Sequence, residues 1–334
     1  MAGALASLAA EVLARGRCAL CGACLGLCPY LVAFRGRVVA LHECDLETGR
    51  CAACCPRLAG PAPLRAEDDA PRDPDLGPVR RAVAARAADA GVRAGGQSGG
   101  AVSALVLHAL ATGRAGRALL TARGPDLEAA GRLAATRAEV LACAGSGLAA
   151  GPTLAALNAD GATDPVAAVA LPCQAAALAH MRAAGTAAGR RVAVVIGLFC
   201  TWAFDAGRLR AFLAARLGGA APARLEVTPP PARALVVHTG AGAHALPLDD
   251  ARPCIRAACA ACGDLTAAAA DVSVGTVEGR PGWSLVLARS AAGAALVADA
   301  VAAGALETAA APADGLAHLR AAAGAKRRRA ERAP

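Results

Sequence analysis

Along residues 81–320, short continuous apolar runs alternate with segments in which apolar residues recur at helical spacing. Apolar runs bounded by Pro, Gly or Cys are typical of buried strands, whereas helical spacing is typical of helices that pack on a sheet. The pattern predicts helices at Arg81–Ala90, Ala101–Thr112 and Gln174–Ala184, and strands near Arg117–Thr121 and at Val166–Leu171 and Val192–Phe199. This alternation indicates an α/β (α+β) body with some parallel strand pairing.

The segment 59–79 separates this body from the beginning of the chain. It is rich in Pro and Asp and has no apolar period, which is typical of a linker. Residues 1–17 predict a short amphipathic helix and lack the charged start, apolar core and twin-Arg pair of a secretory leader. We therefore expect an N-terminal module at 1–58, a linker at 59–79, a body at 80–320 and a basic tail at 321–334.

Composition narrows the function classes. The chain has 334 residues, a net charge of +9 and 2% aromatic residues. The positive charge is spread out apart from the run Lys326–Arg329, and a solvated run explains it better than nucleic-acid binding because no stacking aromatics accompany it. No apolar run reaches the ~20 residues of a membrane-spanning helix. Fourteen cysteines without a secretory leader favour the reducing cytoplasm.

The densest chemistry lies between Cys18 and Pro56. A C-x2-C-x2-C-x3-C-P motif has the spacing that ferredoxins use to bind 4Fe-4S clusters, in which the fourth thiolate reaches a neighbouring cluster. Its cysteines are Cys18, Cys21, Cys24 and Cys28. A zinc site is the alternative, but zinc sites usually have two separated C-x2-C pairs. The motif therefore predicts a ferredoxin-like 4Fe-4S module.

A second set of cysteines precedes Pro56 and is degenerate, because Thr48 stands where a ferredoxin motif would have a cysteine. We take Cys44, Cys51 and Cys55 as candidate ligands of a second cluster, with Cys54 as the alternative to Cys55 and Cys28 available from the first motif. The alternative is a partly decayed site with spare thiols.

A glycine-rich turn, Gly95–Gly100, stands directly before a predicted helix. Its N–H groups and the positive end of the helix are suited to binding a pyrophosphate. The turn has neither the G-x-G-x-x-G nor the P-loop spacing, so an ordinary turn is an equal alternative.

Cysteines also follow both predicted buried strands. Cys173 and Cys200 stand just beyond the carboxyl ends of these strands, where ligand sites of open α/β sheets gather. Further along, Cys254-x4-Cys259-x2-Cys262 is another metal-ligand pattern. Cys143 is isolated, and simple burial is expected for it.

Five segments in order resemble the family of coenzyme F420 hydrogenase/dehydrogenase beta subunits across nearly the whole chain. They are the ferredoxin-like start, GGAVSAL at Gly99–Leu105, LPCQAAAL at Leu171–Leu178, IGLFC at Ile196–Cys200, and the C-x2-C-x-D motif at Cys259–Asp264 followed by ADVSVG and GWS. The resemblance implies an iron-sulfur flavoprotein that binds FAD and two or three 4Fe-4S clusters.

The resemblance also implies site residues. The flavin site would include Gly95, Gly96, Ser98, Gly99, Gly100 and Ser103, with Pro172, Cys173 and Gln174 close by. A cluster beside the flavin would be held by Cys259 and Cys262, completed by Cys200 and Cys254. Asp264 is expected to orient neighbouring groups, because these clusters prefer thiolate to carboxylate.

Two segments depart from the family pattern, and both bear on the identity of the electron partner. Gly145–Leu148 stands where family members commonly have a G-S-K-Y-like stretch, so a lysine and an aromatic residue are missing. Gly275–Thr276 stands where a G-D pair is expected. The missing lysine weakens the expectation that the anionic deazaflavin coenzyme binds.

The resemblance implies an oxidoreductase that relays electrons between clusters and FAD and exchanges hydride with a soluble carrier, either a deazaflavin coenzyme or a nicotinamide. Its partner would be a ferredoxin or a component of a hydrogenase/dehydrogenase complex. A ferredoxin-dependent reductase of an organic substrate and a non-catalytic electron-transfer adaptor remain alternatives. No side chain is assigned as an acid–base catalyst.

Overall fold

A computed structural model describes residues 3–64, 70–124, 126–228 and 232–333. The strands are β1 (Leu31–Phe34), β2 (Arg37–Ala40), β3 (Arg72–Asp73), β4 (Gly77–Pro78), β5 (Arg81–Ala87), β6 (Arg117–Arg123), β7 (Ala129–Ala134), β8 (Val166–Ala170), β9 (Val192–Leu198), β10 (Arg224–Val227), β11 (Ala234–Thr239), β12 (Gly242–Pro247), β13 (Val272–Thr276), β14 (Ser284–Ala288) and β15 (Leu306–Ala310).

The helices are α1 (Ala4–Leu8), α2 (Arg50–Ala53), α3 (Ala90–Gly95), α4 (Ala101–Ala111), α5 (Arg137–Ala142), α6 (Thr153–Ala159), α7 (Pro172–Ala183), α8 (Ala187–Arg191), α9 (Ala206–Leu217), α10 (Leu248–Ala251), α11 (Ala291–Ala302) and α12 (Ala313–Glu331). A π-helix at Ala9–Leu13 continues α1, and 3-10 turns lie at Arg252–Cys254 and Ala257–Cys259. None of the helices within the described ranges is both long and apolar enough to cross a bilayer.

The body of the described chain is built on an eight-stranded sheet with the order β15-β5-β14-β13-β9-β8-β6-β7. The central strands β13, β9, β8 and β6 are parallel, and the flanking pairs are antiparallel. A sheet buried on both faces needs strands that are apolar throughout, and the residues of β8 and β9 meet that requirement. The predicted mixed α/β fold with parallel pairing is therefore confirmed.

The predicted helix at Arg81–Ala90 is wrong. Residues Arg81–Ala87 form β5, which lies between β14 and β15. Alanine favours a helix in isolation, but pairing on both sides overrides this local preference, and Val83 and Ala87 are buried in the sheet. The other predicted helices and strands appear as α4, α7, β6, β8 and β9, with ends that differ by at most two residues.

One edge of the sheet gathers the ends of five strands. Because β14 is antiparallel to both β5 and β13, strand β5 runs in the same direction as the parallel strands. The carboxyl ends of β5, β6, β8, β9 and β13 therefore lie along one edge, called here the carboxyl edge. Ligand sites of open α/β sheets lie at such an edge.

The N-terminal module packs directly on α6. The backbone N–H of Leu154 donates to the Cys21 carbonyl at 3.0 Å, and the Asn158 amide donates to the carbonyls of Ala23 and Leu25 at 2.9 and 2.8 Å. Gly22 has a φ of +90°, and a Cβ there would lie 2.6 Å from the Pro152 carbonyl oxygen. The cysteine loop is thus fixed to the body through backbone contacts.

The tight fit at Gly22 makes a prediction. Gly22→Ala should lower the free energy of unfolding clearly more than Gly36→Ala. Both glycines have positive φ, which costs an alanine roughly 1–2 kcal/mol, but nothing lies within 4 Å of a Cβ at Gly36. Urea unfolding of the cluster-free protein measures the difference, and equal losses for the two variants would contradict the packing described above.

The predicted linker at 59–79 contains ordered structure. Residues 65–69 lie outside the described residues, but β3 and β4 pair in the part that follows. Leu76 between them is buried, and the guanidinium of Arg289 donates to the carbonyls of Leu76 and Pro78 at 2.7 and 2.8 Å. The division of the chain into four segments remains a prediction.

The strands β10, β11 and β12 form a separate antiparallel sheet beside α9. Its apolar core includes Phe204, Leu209 and Leu235, and the thiol of Cys254 packs among them. This small sheet leads the chain back to the loop that carries Cys259 and Cys262.

Candidate functional site

Four thiols of the N-terminal module line one small, mostly apolar cavity. They are Cys18, Cys21, Cys24 and Cys55, called here the first thiol group. Burial raises the pKa of Cys24 to about 12, and the neighbouring thiols of Cys18 and Cys55 contribute to that rise. Because Cys55 lines this cavity, it supplies the fourth thiol beside the first three of the ferredoxin motif.

The fourth cysteine of the ferredoxin motif, Cys28, lies in a second set of neighbouring thiols. The pKa of Cys51 is raised chiefly by burial, and then by the neighbouring thiol of Cys28 and also by Cys44. These three cysteines form the second thiol group. The exchange of Cys28 and Cys55 between the two groups follows the crossed ligation of two-cluster ferredoxins.

Cys54 packs differently from its neighbour Cys55. It is 0% exposed and lies in the core under the large sheet, with Leu119 and Leu154. Burial is the main cause that raises its pKa to about 11, and the neighbouring thiols of Cys51 and Cys55 contribute to that rise. Cys55 therefore lines the cavity of the first group, whereas Cys54 lies in apolar packing beside Cys51 of the second group.

A third set of thiols lies at the carboxyl edge. Strands β8 and β9 are parallel neighbours, so the segments that follow them meet there. Cys173 is the second residue of α7, and Cys200 lies two residues beyond β9. Cys259 and Cys262 reach the same place from the loop at the second 3-10 turn. These four cysteines are called here the inner thiol group.

Electrostatic coupling shows that the four inner thiols are neighbours. Burial raises the pKa of Cys173 to about 12, and the thiols of Cys262 and Cys259 contribute to that rise. The pKa of Cys200 is also raised, chiefly by burial, while the charge of Lys326 lowers it and the other three thiols raise it. In the absence of iron the thiols of Cys173 and Cys200 therefore hold their protons at neutral pH, so metal binding there must release protons.

Backbone groups surround the inner sulfurs. The Ala203 N–H donates to the sulfur of Cys259 at 3.4 Å. Asp264 does not point its carboxylate at the thiols, since that carboxylate accepts from the N–H groups of Thr266 and Ala268 at 3.0 and 2.9 Å. Asp264 therefore orients the loop that carries Cys262.

The structure does not bring Cys254 to the inner thiol group. Its thiol is buried beside α9, and the charged groups that act on it are Arg208 and Asp205. Cys173, which sequence reasoning placed near the flavin, occupies the fourth position instead. Cys143 remains apart from all three groups, next to Arg132, Glu139 and Arg123.

Arg57 joins the first and inner groups. Its side chain lines the cavity of the first group, and its guanidinium donates to the carbonyls of Ala261 and Ala258 at 2.9 and 3.1 Å. The pKa of Cys21 is raised well above its usual value by burial first and then by the Cys173 thiol. The first and inner groups therefore lie next to each other.

Sets of thiols are the donors that iron-sulfur clusters use in proteins. In the described ranges no three His, Cys, Asp or Glu side chains are spaced to hold one metal ion. A tetrahedral zinc site brings its sulfurs to about 3.8 Å from one another. A cubane spreads its four thiolates over four iron atoms, and the first and inner groups each offer four thiols, most of them partly buried.

The glycine turn lies at the same carboxyl edge. Gly99 and Gly100 have φ of +77° and +71°, and a Cβ at Gly99 would clash with the Gly282 carbonyl oxygen. The hydroxyls of Ser98 and Thr276 are 3.1 Å apart, and the Ser284 hydroxyl donates to the Ser98 carbonyl. Close backbone packing therefore explains why glycine is needed at these two positions. The same contacts hold the turn in place just before the N-terminal, positive end of α4.

The remaining predicted flavin residues have structural contacts. Ser103 lies on the buried face of α4. The Gln174 side-chain oxygen accepts from the Leu171 N–H at 2.8 Å, and its amide nitrogen donates to the Thr153 hydroxyl at 3.0 Å. With Pro172 in its first turn, α7 is thereby anchored at the residue that follows Cys173.

Sequence reasoning missed three arginines and a tryptophan at this edge. The Trp283 ring contacts the guanidinium groups of Arg86 and Arg280, whose central carbons lie 4.6 and 4.0 Å from its centroid. Arg123 packs over the 145–148 loop, with its Cγ 3.1 Å from the position of a Cβ on Gly147. The scarcity of aromatics could have drawn attention to Trp283, whereas no sequence signal marks the arginines.

Comparison with known proteins places this geometry in a family. Residues 82–158 match the family model for the N-terminal part of the coenzyme F420 hydrogenase/dehydrogenase beta subunit, and residues 163–314 match the model for its C terminus. Together the two segments span more than half of the chain. This chain belongs to the family of coenzyme F420 hydrogenase/dehydrogenase beta subunits. The predicted resemblance is confirmed, and so, at the level of the family, is the prediction of an oxidoreductase.

Two curated relatives match this chain over most of their own length. Coenzyme F420 hydrogenase subunit beta of Methanothermobacter thermautotrophicus is 27% identical over 240 residues, covering 70% of this chain and 85% of that protein. One of the subunits of the F(420)H(2) dehydrogenase of Methanosarcina mazei is 26% identical over 300 residues, covering 85% of this chain and 82% of that protein.

The fold also matches a solved structure. A chain of the F420-reducing [NiFe] hydrogenase complex from Methanosarcina barkeri superposes with a TM-score of 0.72 and 27% identity, covering 78% of this chain and 93% of that chain. This match confirms the mixed α/β fold for this member of the coenzyme F420 hydrogenase/dehydrogenase family.

Proposed function

We propose that this chain is an iron-sulfur flavoprotein component of a hydrogenase/dehydrogenase-type complex. It relays electrons between 4Fe-4S clusters and FAD and exchanges hydride with a soluble carrier, either a deazaflavin coenzyme or a nicotinamide. The observation that carries the proposal is the convergence of Cys173, Cys200, Cys259 and Cys262 at the carboxyl edge that also holds the glycine turn. Family membership supports it independently.

The thiol groups have distinct tasks in this proposal. The first group holds one cubane through four thiolates, and the inner group holds another beside the flavin. The second group comprises Cys28, Cys44 and Cys51, and Cys54 beside Cys51 is the candidate for its fourth ligand. Cys21 and Cys173 are neighbours, so electrons pass from the first cluster to the inner cluster.

The flavin would supply the conversion between hydride and single electrons, since a flavin handles both and each cluster carries one electron. The N–H groups of Gly95–Gly100 and the positive end of α4 would bind its pyrophosphate. Ser98 is held in place by Thr276 and Ser284. The Ala203 N–H at the Cys259 sulfur stabilises negative charge on that thiolate.

The proposed electron partner and the hydride carrier are inferred from the N-terminal module and from Arg123. The N-terminal module receives or delivers single electrons, so its partner is a ferredoxin or another protein of the complex. The carrier is anionic in the case of a deazaflavin, and Arg123 brings a positive charge to the loop 145–148, which lacks the family's lysine. This arginine supports an anionic carrier in spite of that loss.

The test is the content of iron, acid-labile sulfide and flavin in anaerobically purified protein. We expect one FAD per chain and at least about eight iron atoms for the first and inner groups, rising to about twelve when the second group is also loaded. Clusters without flavin would contradict the proposal and favour an electron-transfer adaptor. Flavin and clusters without reduction of a deazaflavin or a nicotinamide would favour a reductase of an organic substrate.

A further inference from the structure

Lys326 is a buried member of the basic run. The run was expected to be solvated, and Arg328 and Arg329 are exposed as expected, but Lys326 is only 2% exposed. It lies on α12 in a stripe with Leu319 and Ala323, three buried residues at helical spacing. The side chain of Lys326 therefore points from α12 into the protein interior.

The buried ammonium has no carboxylate partner among the described residues. Its two contacts are carbonyl oxygens, those of Cys200 at 2.6 Å and Asp264 at 2.7 Å. An ammonium removed from water without a counter-charge destabilises the folded protein. A negative group that completes the site would remove this destabilisation.

Both carbonyls belong to the loops of the inner thiol group. Cys200 is a member of the group, and Asp264 follows Cys262 by two residues. The ammonium therefore lies 2.6 Å from the backbone of one inner ligand and 2.7 Å from the backbone just after another, close enough to stabilise negative charge at this site.

We propose that Lys326 is the internal counter-charge of the inner cluster and raises its reduction potential. The inference rests on the proposed function, because it requires a cluster at the inner thiol group. A cubane held by four thiolates is negative and gains a further negative charge on reduction. A fixed cation in a site of low dielectric stabilises the reduced form more than the oxidised form. Lys326 is a positioning residue in this role and makes no contact with substrate.

The competing explanation is structural. The two hydrogen bonds of Lys326 also tie α12 to the loops that follow β9 and Cys262, and any donor of similar length could do the same. The two roles differ in one measurable quantity, since only a charge effect changes the potential of the inner cluster while the loops stay in place.

The experiment uses full-length, cluster-loaded protein in redox titrations followed by electron paramagnetic resonance. The inner signal is identified as the one that Cys259→Ala removes. Lys326→Met should make reduction of this cluster at least tenfold less favourable, which is a fall of about 59 mV for a one-electron couple. The potential of the N-terminal signal should not change. Arg328→Met, which neutralises an exposed cation of the same helix, should leave both potentials in place.

Lys326→Gln is the second variant, because its amide can still donate to a carbonyl but carries no charge. A similar fall in Lys326→Gln supports the counter-charge, whereas a wild-type potential in either neutral variant overturns it. If both neutral variants fail to load the inner cluster, loading of Lys326→Arg supports the role of charge, and failure of Lys326→Arg overturns it. Wild-type protein without a signal that depends on Cys259 would instead refute the proposed function, and the inference would fall with it.

Discussion

Replacement of Cys259 by alanine is expected to remove about four iron atoms per chain and to leave the signal of the N-terminal clusters unchanged. The thiol of Cys259 is one of four that converge at the carboxyl edge, and it accepts the Ala203 N–H that orients it. A cubane that loses one of its four thiolates has an exposed iron and degrades. Iron and sulfide analysis, together with low-temperature electron paramagnetic resonance, measures the loss.

Cys254→Ala is the matched control in the same segment. Cys254 is buried beside Phe204 and Leu209 and lies outside all three thiol groups. The variant should keep its full iron content and lose only a little stability, because one buried atom is removed. An equal loss of iron in Cys254→Ala and Cys259→Ala would contradict the assignment of Cys173 as the fourth inner ligand.

The second large effect is expected at Cys55. Cys55→Ala should remove the first cluster, again about four iron atoms, while the signal of the inner cluster remains. The reason is geometric, since Cys55 lines the same cavity as Cys18, Cys21 and Cys24. Electron delivery from a reduced ferredoxin to the flavin should then fall sharply, because the first group lies next to the inner group.

Cys54 provides the adjacent control. Its side chain is fully buried in apolar packing with Leu154 and does not line the first cavity, so Cys54→Ala should retain the first cluster and cost roughly 1 kcal/mol of stability through a small cavity. Retention of iron in Cys55→Ala together with its loss in Cys54→Ala would reverse the assignment of these neighbouring cysteines.

Sequence patterns predicted candidate ligands best where the cysteines lie close together along the chain or directly after a strand. The spacing from Cys18 to Pro56 predicted the thiol-rich module, and the positions of Cys173 and Cys200 after apolar runs predicted that they would meet at one edge. Both statements depend on local periodicity and on the direction of parallel strands, which a sequence contains. The FAD site and the identity of each cluster remain predictions.

Other features depend on tertiary contacts that no local pattern records. Residues Arg81–Ala87 have the composition of a helix, and only their pairing with β14 and β15 makes them a strand. Cys254 has better spacing to Cys259 than Cys173 does, yet the small sheet beside α9 draws it into its own core. Lys326 looked like part of a solvated run because the packing partner of α12 could not be inferred from its sequence.

The two hydrogen bonds of Arg57 bear on how the protein is made. Its partners Ala261 and Ala258 lie 204 and 201 residues further along the chain. At about 5–20 residues per second, the ribosome exposes the N-terminal cysteines ~10–40 s before the loop that covers them has been synthesised. In the proposed iron-sulfur protein, a cluster inserted into the first thiol group during that interval would lack the contact that Arg57 makes with this loop.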